Sequence, residues 1–340
     1  MHIPENYLSP STCGVMGAVM IPIWYESIKK VKIQMKERKE TIPLLGIASS
    51  LCFLVMMFNL PVPGGTTAHA VGAVLISLLL GPWAACLSVT ITLILQAVLF
   101  GDGGILALGA NCFNMAFVMP FVGYGIFQLC RRIFKKHGDA IGAAVGGYAG
   151  VCTAALCAAI ELGIQPLLFK DASGAPMYNP YPLSISIPAM LGAHVLVIGF
   201  VEALFTVGVY KFILKVSPNL VYVNEMQHQE TKEKRGKFGI LYAALFVIAL
   251  MTPLGLLATG DAWGEWDLST LLSELSKSHL PAHAPSGMVH GFSFEALMSD
   301  YSIKGLPPVV GYILCALIAI LLFMIIYKVV FQHRKDEQGE

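Results

Sequence analysis

An all-α membrane protein is expected of this chain on three grounds. Of its 340 residues, 56% are hydrophobic and only 13% are charged, whereas soluble domains carry about 25% charged residues. Its mean hydropathy is +0.70. Apolar runs long enough to cross a bilayer alternate with short clusters of lysine and arginine.

Those clusters order the spans. Basic residues gather at 29–39, 131–136, 211–237 and 328–335, and the cytoplasmic preference of lysine and arginine places all four inside. The connecting apolar segments fall near 8–28, 42–61, 70–100, 104–130, 140–169 and 183–216. The stretch 70–100 is too long for one span and is interrupted at Gly81-Pro82, because proline breaks a helix. This gives a seven-span domain over 1–217 with its N-terminus outside. A polar, charged cytoplasmic linker follows at 218–237. A two-span domain over 238–340 completes the chain, with an external loop at 259–306 and the C-terminus inside. Gly142, Gly146 and Gly150 recur every fourth residue. They form a face for close helix packing, either within the domain or against a membrane partner.

Several function classes are excluded. The net charge of +1 and the lack of a basic stripe leave no footprint for nucleic acid. No G-x-x-x-x-G-K-[ST] motif occurs, since Gly236-Lys237 is followed by Phe238, so the chain does not hydrolyse ATP by itself. Cys13, Cys52, Cys86, Cys112, Cys130, Cys152, Cys157 and Cys315 form no C-x-x-C pair and read as small hydrophobic filler. The first charged residue is Glu5 and the first lysine Lys29, which is unlike the basic start of a cleaved leader. With bulky His2 in second place, Met1 is expected to stay, with a free amine.

That amine is the first feature able to carry chemistry. The chain opens Met1-His2-Ile3-Pro4. A divalent ion meeting this end finds the Met1 amine, the His2 amide nitrogen and the His2 imidazole Nδ1, held close to one plane by the rigid peptide unit. An in-plane nitrogen set suits Ni(II) or Cu(II). Pro4 stiffens the exit from the chelate. One in-plane position remains, and His69 is a candidate to fill it. It closes the Gly/Pro-rich segment 61–69 at the outer end of the second span, and irregular backbone at membrane depth is tolerated where it lines a cavity. Thr66 and Thr67 in that segment, Asp102 in the glycine turn 101–104, and Asn111 and Asn114 on one helix face are candidates to support these ligands. Glu161, Glu202 and His194 are ionisable groups within spans, open to a proton relay or to pairing with polar neighbours. His279, His283 and His290 are scattered in the external loop and read as inert.

Met1-His2-Ile3-Pro4 with Leu8-Ser9-Pro10, together with the segments 61–69 and 101–115, resembles the nickel/cobalt capture components (NikM/CbiM type) of energy-coupling-factor transporters, over residues 1–216. The resemblance implies a metal held by the N-terminal amine, the amide and imidazole of the second residue and one further histidine. Motif by motif these fall on Met1, His2 and His69. It also implies Ni(II) or Co(II) as the transported substrate, an inner-membrane location, a membrane coupling (T) subunit and two cytoplasmic ATPases. Gly260-Asp261-Ala262-Trp263-Gly264-Glu265-Trp266 makes the last hundred residues similar to the small two-span accessory subunit (NikN-like) fused to some members. Two readings from other classes stand beside this one. One is an intramembrane metalloenzyme using Glu161, Glu202 and His194, which lacks any H-E-x-x-H motif. The other is a metal-sensing receptor. The topology has a direct test: a cysteine placed at Gln229 in a cysteine-free background should resist an impermeant thiol reagent added to intact cells, and labelling there would refute the seven-plus-two arrangement.

Overall fold

The computed structural model describes residues 1–38, 40–63, 66–222, 238–278 and 283–332. Most of the expected linker (223–237) lies outside the described residues, as do Lys39, Gly64, Gly65, the 279–282 segment with His279 and Pro281, and 333–340.

The chain is mostly helical. Helix α1 (Pro10–Glu37) starts where Ser9 caps it, its hydroxyl accepting from Thr12 N at 3.1 Å, with proline in the first turn. Helix α2 (Thr41–Met56) follows. The apolar run predicts a span reaching residue 61, but Pro61 and Pro63 cannot sustain a helix there. The chain instead forms a hairpin of β1 (Leu60–Val62) and β2 (Thr66–Ala68), antiparallel, with Leu60 opposite Ala68.

Helix α3 (Ala73–Leu80) and helix α4 (Pro82–Leu95) meet at Gly81, whose φ of +89° only glycine adopts readily. The break expected at Gly81-Pro82 is present, but it does not divide the segment into two full spans. The eight residues of α3 reach about 12 Å, well short of a hydrocarbon core. Helix α4 continues through a π turn (Gln96–Phe100) to the length of a span. After the glycine loop come α5 (Leu108–Asn111), a second π turn (Cys112–Val118) and α6 (Met119–Phe134). Helices α7 (Gly138–Gly163), α8 (Gln165–Leu168) and α9 (Leu183–Ala193) lead to a π turn at His194–Ile198 and to α10 (Gly199–Val216). Beyond the linker, α11 (Phe238–Met251), α12 (Leu268–Lys277), α13 (Ser286–Val289) and α14 (Pro308–Gln332) complete the described chain. Pro82–Phe100, Leu108–Leu168, Leu183–Val216, Phe238–Leu257 and Pro308–Val329 are long and apolar enough to cross a membrane. The second of these folds back at 135–137.

The glycine stripe packs internally. Gly142 lies against Phe127, Gly146 against Gly123 and Gly150 against Met119, an indexing that runs α7 antiparallel to α6. The main core includes Met1, Ile3, Tyr7 and Leu8, so the chain terminus itself is an interior element. A second cluster seats α11 and α14 against α2, with Phe53, Phe100, Leu245, Tyr301 and Phe323 at its centre.

Packing this close predicts a sharp contrast. A Cβ on Gly146 would lie 2.6 Å from the Gly123 carbonyl oxygen, while one on Gly14 meets nothing within 4 Å. Gly146→Ala should therefore lower the melting temperature in detergent, at an overpacking cost of about 1–3 kcal/mol. Gly14→Ala should leave it unchanged or slightly raised. Thermal unfolding of the two variants checks this.

Candidate metal centre

The first nine residues are pinned along their length. Ile3 is gripped at both ends: its N–H donates to Asn111 Oδ1 at 2.8 Å, and its carbonyl accepts from Asn111 Nδ2 at 3.1 Å and Gly104 N at 2.9 Å. The Glu5 carboxylate accepts from Leu106 N at 3.0 Å, the Tyr7 hydroxyl donates to the Trp266 carbonyl at 2.8 Å, and Ser9 N donates to Gln165 Oε1 at 3.0 Å. These anchors, with the chain turned at Asn6 (φ +65°), hold the first two residues against the interior. Met1 and His2 are both buried.

The 101–107 loop closes over His2. Gly101 and Gly103 take φ of +68° and +86°, and a Cβ on Gly103 would stand 3.3 Å from His2 Cδ2. Glycine is needed here for backbone angle and for close approach. Between them Asp102 turns its carboxylate inward. Its Oδ2 accepts from Gln96 Nε2 at 3.1 Å and from the Tyr301 hydroxyl, and its Oδ1 stands 3.1 Å from His2 Nδ1. That last contact lacks hydrogen-bond geometry, and both ring nitrogens of His2 are buried without a hydrogen-bond partner. Buried polar atoms are ordinarily satisfied.

His69, also buried, comes in from the hairpin side. The His2 and His69 ring centroids are 5.1 Å apart. His69 Nδ1 is 3.0 Å from the Ala70 carbonyl oxygen. A carbonyl can only accept, so Nδ1 carries the proton and Nε2 keeps its lone pair. The Met1 amine lies 3.2 Å from Glu265 Oε1. Among the described residues no three His, Cys, Asp or Glu side chains are arranged to hold a metal, so tight ligation at this place has to draw on backbone nitrogen.

Burial pushes the His2 imidazole from 6.5 to about 4 and that of His69 to about 3, with the N-terminal ammonium adding to both effects. Both rings are thus neutral at physiological pH, the form that binds metals.

The remaining candidates are distributed. Asn111 and Asp102 adjoin His2. Thr66 and Thr67 turn instead to the C-terminal region: Thr66 Oγ1 donates to the Asp261 carbonyl at 3.1 Å, and Thr67 N to the same oxygen at 3.3 Å. Asn114 Nδ2 donates to Glu161 Oε2 at 2.7 Å, one layer deeper. Glu161, Glu202 and His194 do not form a metal-holding cluster among the described residues. Sequence reasoning missed Gln96, Tyr301 and Glu265. Gln96 is visible as a polar residue in an apolar run, and Glu265 lies within the motif 260–266. Nothing local marks Tyr301.

The fold and site define a polytopic membrane protein whose buried terminus, beside two neutral histidines, is suited to binding a metal ion. Residues 2–220 match the family described as the cobalt uptake substrate-specific transmembrane region, and residues 239–335 match the PDGLE domain. The chain belongs to this cobalt uptake family, is a multi-pass inner-membrane component of nickel/cobalt transport, and is not an enzyme. It is 54% identical over 99% of both chains to a probable fused nickel transport protein LarMN of Lactiplantibacillus plantarum. It is 39% identical over 95% of both to a fused nickel transport protein NikMN of Rhodobacter capsulatus. A crystal structure described as a truncated transition metal transporter is 55% identical, covers 63% of this chain and 99% of its own, and superposes with a TM-score of 0.59.

The depressed histidines set a pH dependence. Below the unfolded value of 6.5 the unfolded chain takes up protons that the folded chain refuses until about 4 for His2 and 3 for His69. Their contribution to stability is therefore complete above pH 6.5 and is lost as pH falls through that window. The metal-free protein should melt progressively lower between about pH 7 and pH 4, and His69→Gln should flatten the slope; melting curves across pH check this.

Proposed function

We propose that this chain captures Ni(II) from outside the inner membrane with four nitrogens: the Met1 amine, the His2 amide, His2 Nδ1 and His69 Nε2. The observation that carries the reading is the buried convergence of the N-terminus, His2 and His69, with His2 Nδ1 lacking a hydrogen-bond partner. No hydrogen bond is made by the His2 amide among the described residues, which leaves that nitrogen available. Asp102 and Glu265 lie beside the nitrogens and supply negative charge against the incoming dication. Asn111 and Asp102 support the chelate, and Thr66 and Thr67 join it to the C-terminal segment. Asn114, in contact with Glu161, supports it from below.

A planar nitrogen donor set favours Ni(II). Names of relatives support a second reading, Co(II), because a protein of Ruminiclostridium cellulolyticum that is 34% identical over 64% of this chain is a cobalt transport protein CbiM. The chain divides into a capture domain over 1–217 with its N-terminus outside, a cytoplasmic linker over 218–237, and a two-span domain over 238–340 with external loop 259–306. Among the seven crossings, α3 and the irregular segment before it together make one. The basic residues in the last turns of α1 (Lys36) and α6 (Arg131, Arg132) support this orientation. Energy comes from partners of the energy-coupling-factor type, a membrane coupling subunit and two ATPases, because the chain lacks a phosphate-binding loop.

Titration calorimetry with NiCl2 tests the ligand set. His69→Ala should weaken binding by more than the roughly 10- to 100-fold that loss of an outer support costs, with the fold retained. An uncleaved N-terminal extension should abolish tight binding with every side chain intact, because the amine becomes an amide. Wild-type affinity in the extended protein would sink the proposal.

A further inference from the structure

The backbone between β2 and α3 crosses the protein interior without regular structure. Ala70, Val71 and Gly72 are buried, so their polar groups need partners. The Val71 carbonyl accepts from Cys52 Sγ at 2.8 Å. The two amides are taken by one side chain from α10. Glu202, wholly buried, accepts from Val71 N at 2.8 Å through Oε2 and from Gly72 N at 3.0 and 3.1 Å through both oxygens. These donors open α3, whose N-terminal end favours a negative charge. Gly72, at φ +79°, permits the turn that presents both amides to one carboxylate.

The Val71 N–H and the Ala70 carbonyl belong to the same peptide unit, which is planar and rigid. Glu202 holds its nitrogen end. His69 Nδ1 donates to its oxygen end at 3.0 Å. A carboxylate, a peptide and an imidazole are thus joined in series, ending at His69 Nε2. Metal-bound histidines usually donate their other N–H to a carboxylate or a carbonyl, which fixes the tautomer, orients the ring and raises its basicity. Here both devices act in line, because the carboxylate draws on the N–H of the peptide and enriches the carbonyl that the histidine faces.

We propose that Glu202 is a positioning residue for metal capture, acting on His69 through the Ala70–Val71 peptide. This inference rests on His69 being a ligand. It assigns Glu202 a task other than proton relay: the carboxylate remains fixed while the ion binds, and it sets the ring plane and donor strength of the fourth nitrogen.

A double-mutant cycle tests it on the full chain, with NiCl2 titrated calorimetrically and the visible ligand-field band of the bound ion recorded. Glu202→Gln keeps the shape but removes the charge and turns an N–H2 group toward one of the two amides. It should weaken Ni(II) binding about tenfold and shift the band; the mispaired amide should also lower the melting temperature, equally with and without His69, so affinity and band position carry the test. In the His69→Ala background the same substitution should cost no further affinity, since the path to the metal is already cut. Glu202→Asp, with a shorter arm, should show the same pattern, and it replaces the glutamine variant if that one fails to fold. Equal losses of affinity in both backgrounds would show that Glu202 serves the fold alone and would overturn the inference. So would wild-type affinity and an unshifted band in Glu202→Gln. Wild-type affinity in His69→Ala would instead overturn the ligand reading beneath it.

Discussion

A charged chain terminus is buried in this protein, and much of the surrounding structure answers that constraint. An ammonium group withdrawn from water is costly unless it is paired. Glu265 supplies the pair at 3.2 Å. The terminus also has to be held, because free chain ends fray. The grip of Asn111 on both polar groups of Ile3 does this in the manner of a strand pairing, using one side chain in place of a backbone. With Ile3 fixed and the Pro4 ring limiting its backbone further, Met1 and His2 have little freedom. Under the proposed capture role, an ion entering there would meet donors whose ordering has already been completed, the condition under which binding loses least to entropy.

The helices around the site depart from regularity where they reach it. The π turn at Gln96–Phe100 carries Gln96, which steers Asp102 and meets the Tyr301 hydroxyl. Another begins directly after Asn111 and contains Asn114. Each such turn interrupts the usual backbone pairing and redirects side chains, so it is tolerated where polar groups are at hand. The same economy governs the chain from the hairpin to α3, whose backbone is satisfied by Glu202, Cys52 and His69.

The C-terminal region takes part in the site as well as packing beside it. Glu265 meets the amine, the Tyr301 hydroxyl meets Asp102, and the backbone at 260–262 extends β2 through Thr67. Asp300 and Tyr301 both sit at positive φ, an uncommon conformation for residues with side chains, and it is this turn that delivers the tyrosine. Fusion of the two regions in one chain keeps these contacts at a fixed stoichiometry. The trio Tyr181, Trp263 and Trp266 packs ring against ring beneath the contact and makes the junction apolar at its base.

The sequence alone determined the membrane class, the helical character, the break at Gly81-Pro82 and the choice of Met1, His2 and His69 as the residues to watch. These follow from composition, from proline chemistry, from the spacing of donors at the chain's start, and, for His69, from its place on the same side of the membrane and the family resemblance. It misjudged the end of α2 and the length of α3, because a window of apolar residues reads alike whether it crosses a bilayer or lies buried inside the bundle. Tertiary structure decided the rest. Asn111 was a candidate by position, but only folding shows that it holds Ile3 across 108 residues of chain. Glu265 and Tyr301 reach the site from 264 and 199 residues away along the chain from their partners, and no periodicity encodes such a meeting. Glu202 was, from sequence, open to a proton relay or to pairing with polar neighbours. Its partners are two backbone amides, which carry no sequence signature because every residue but proline has one.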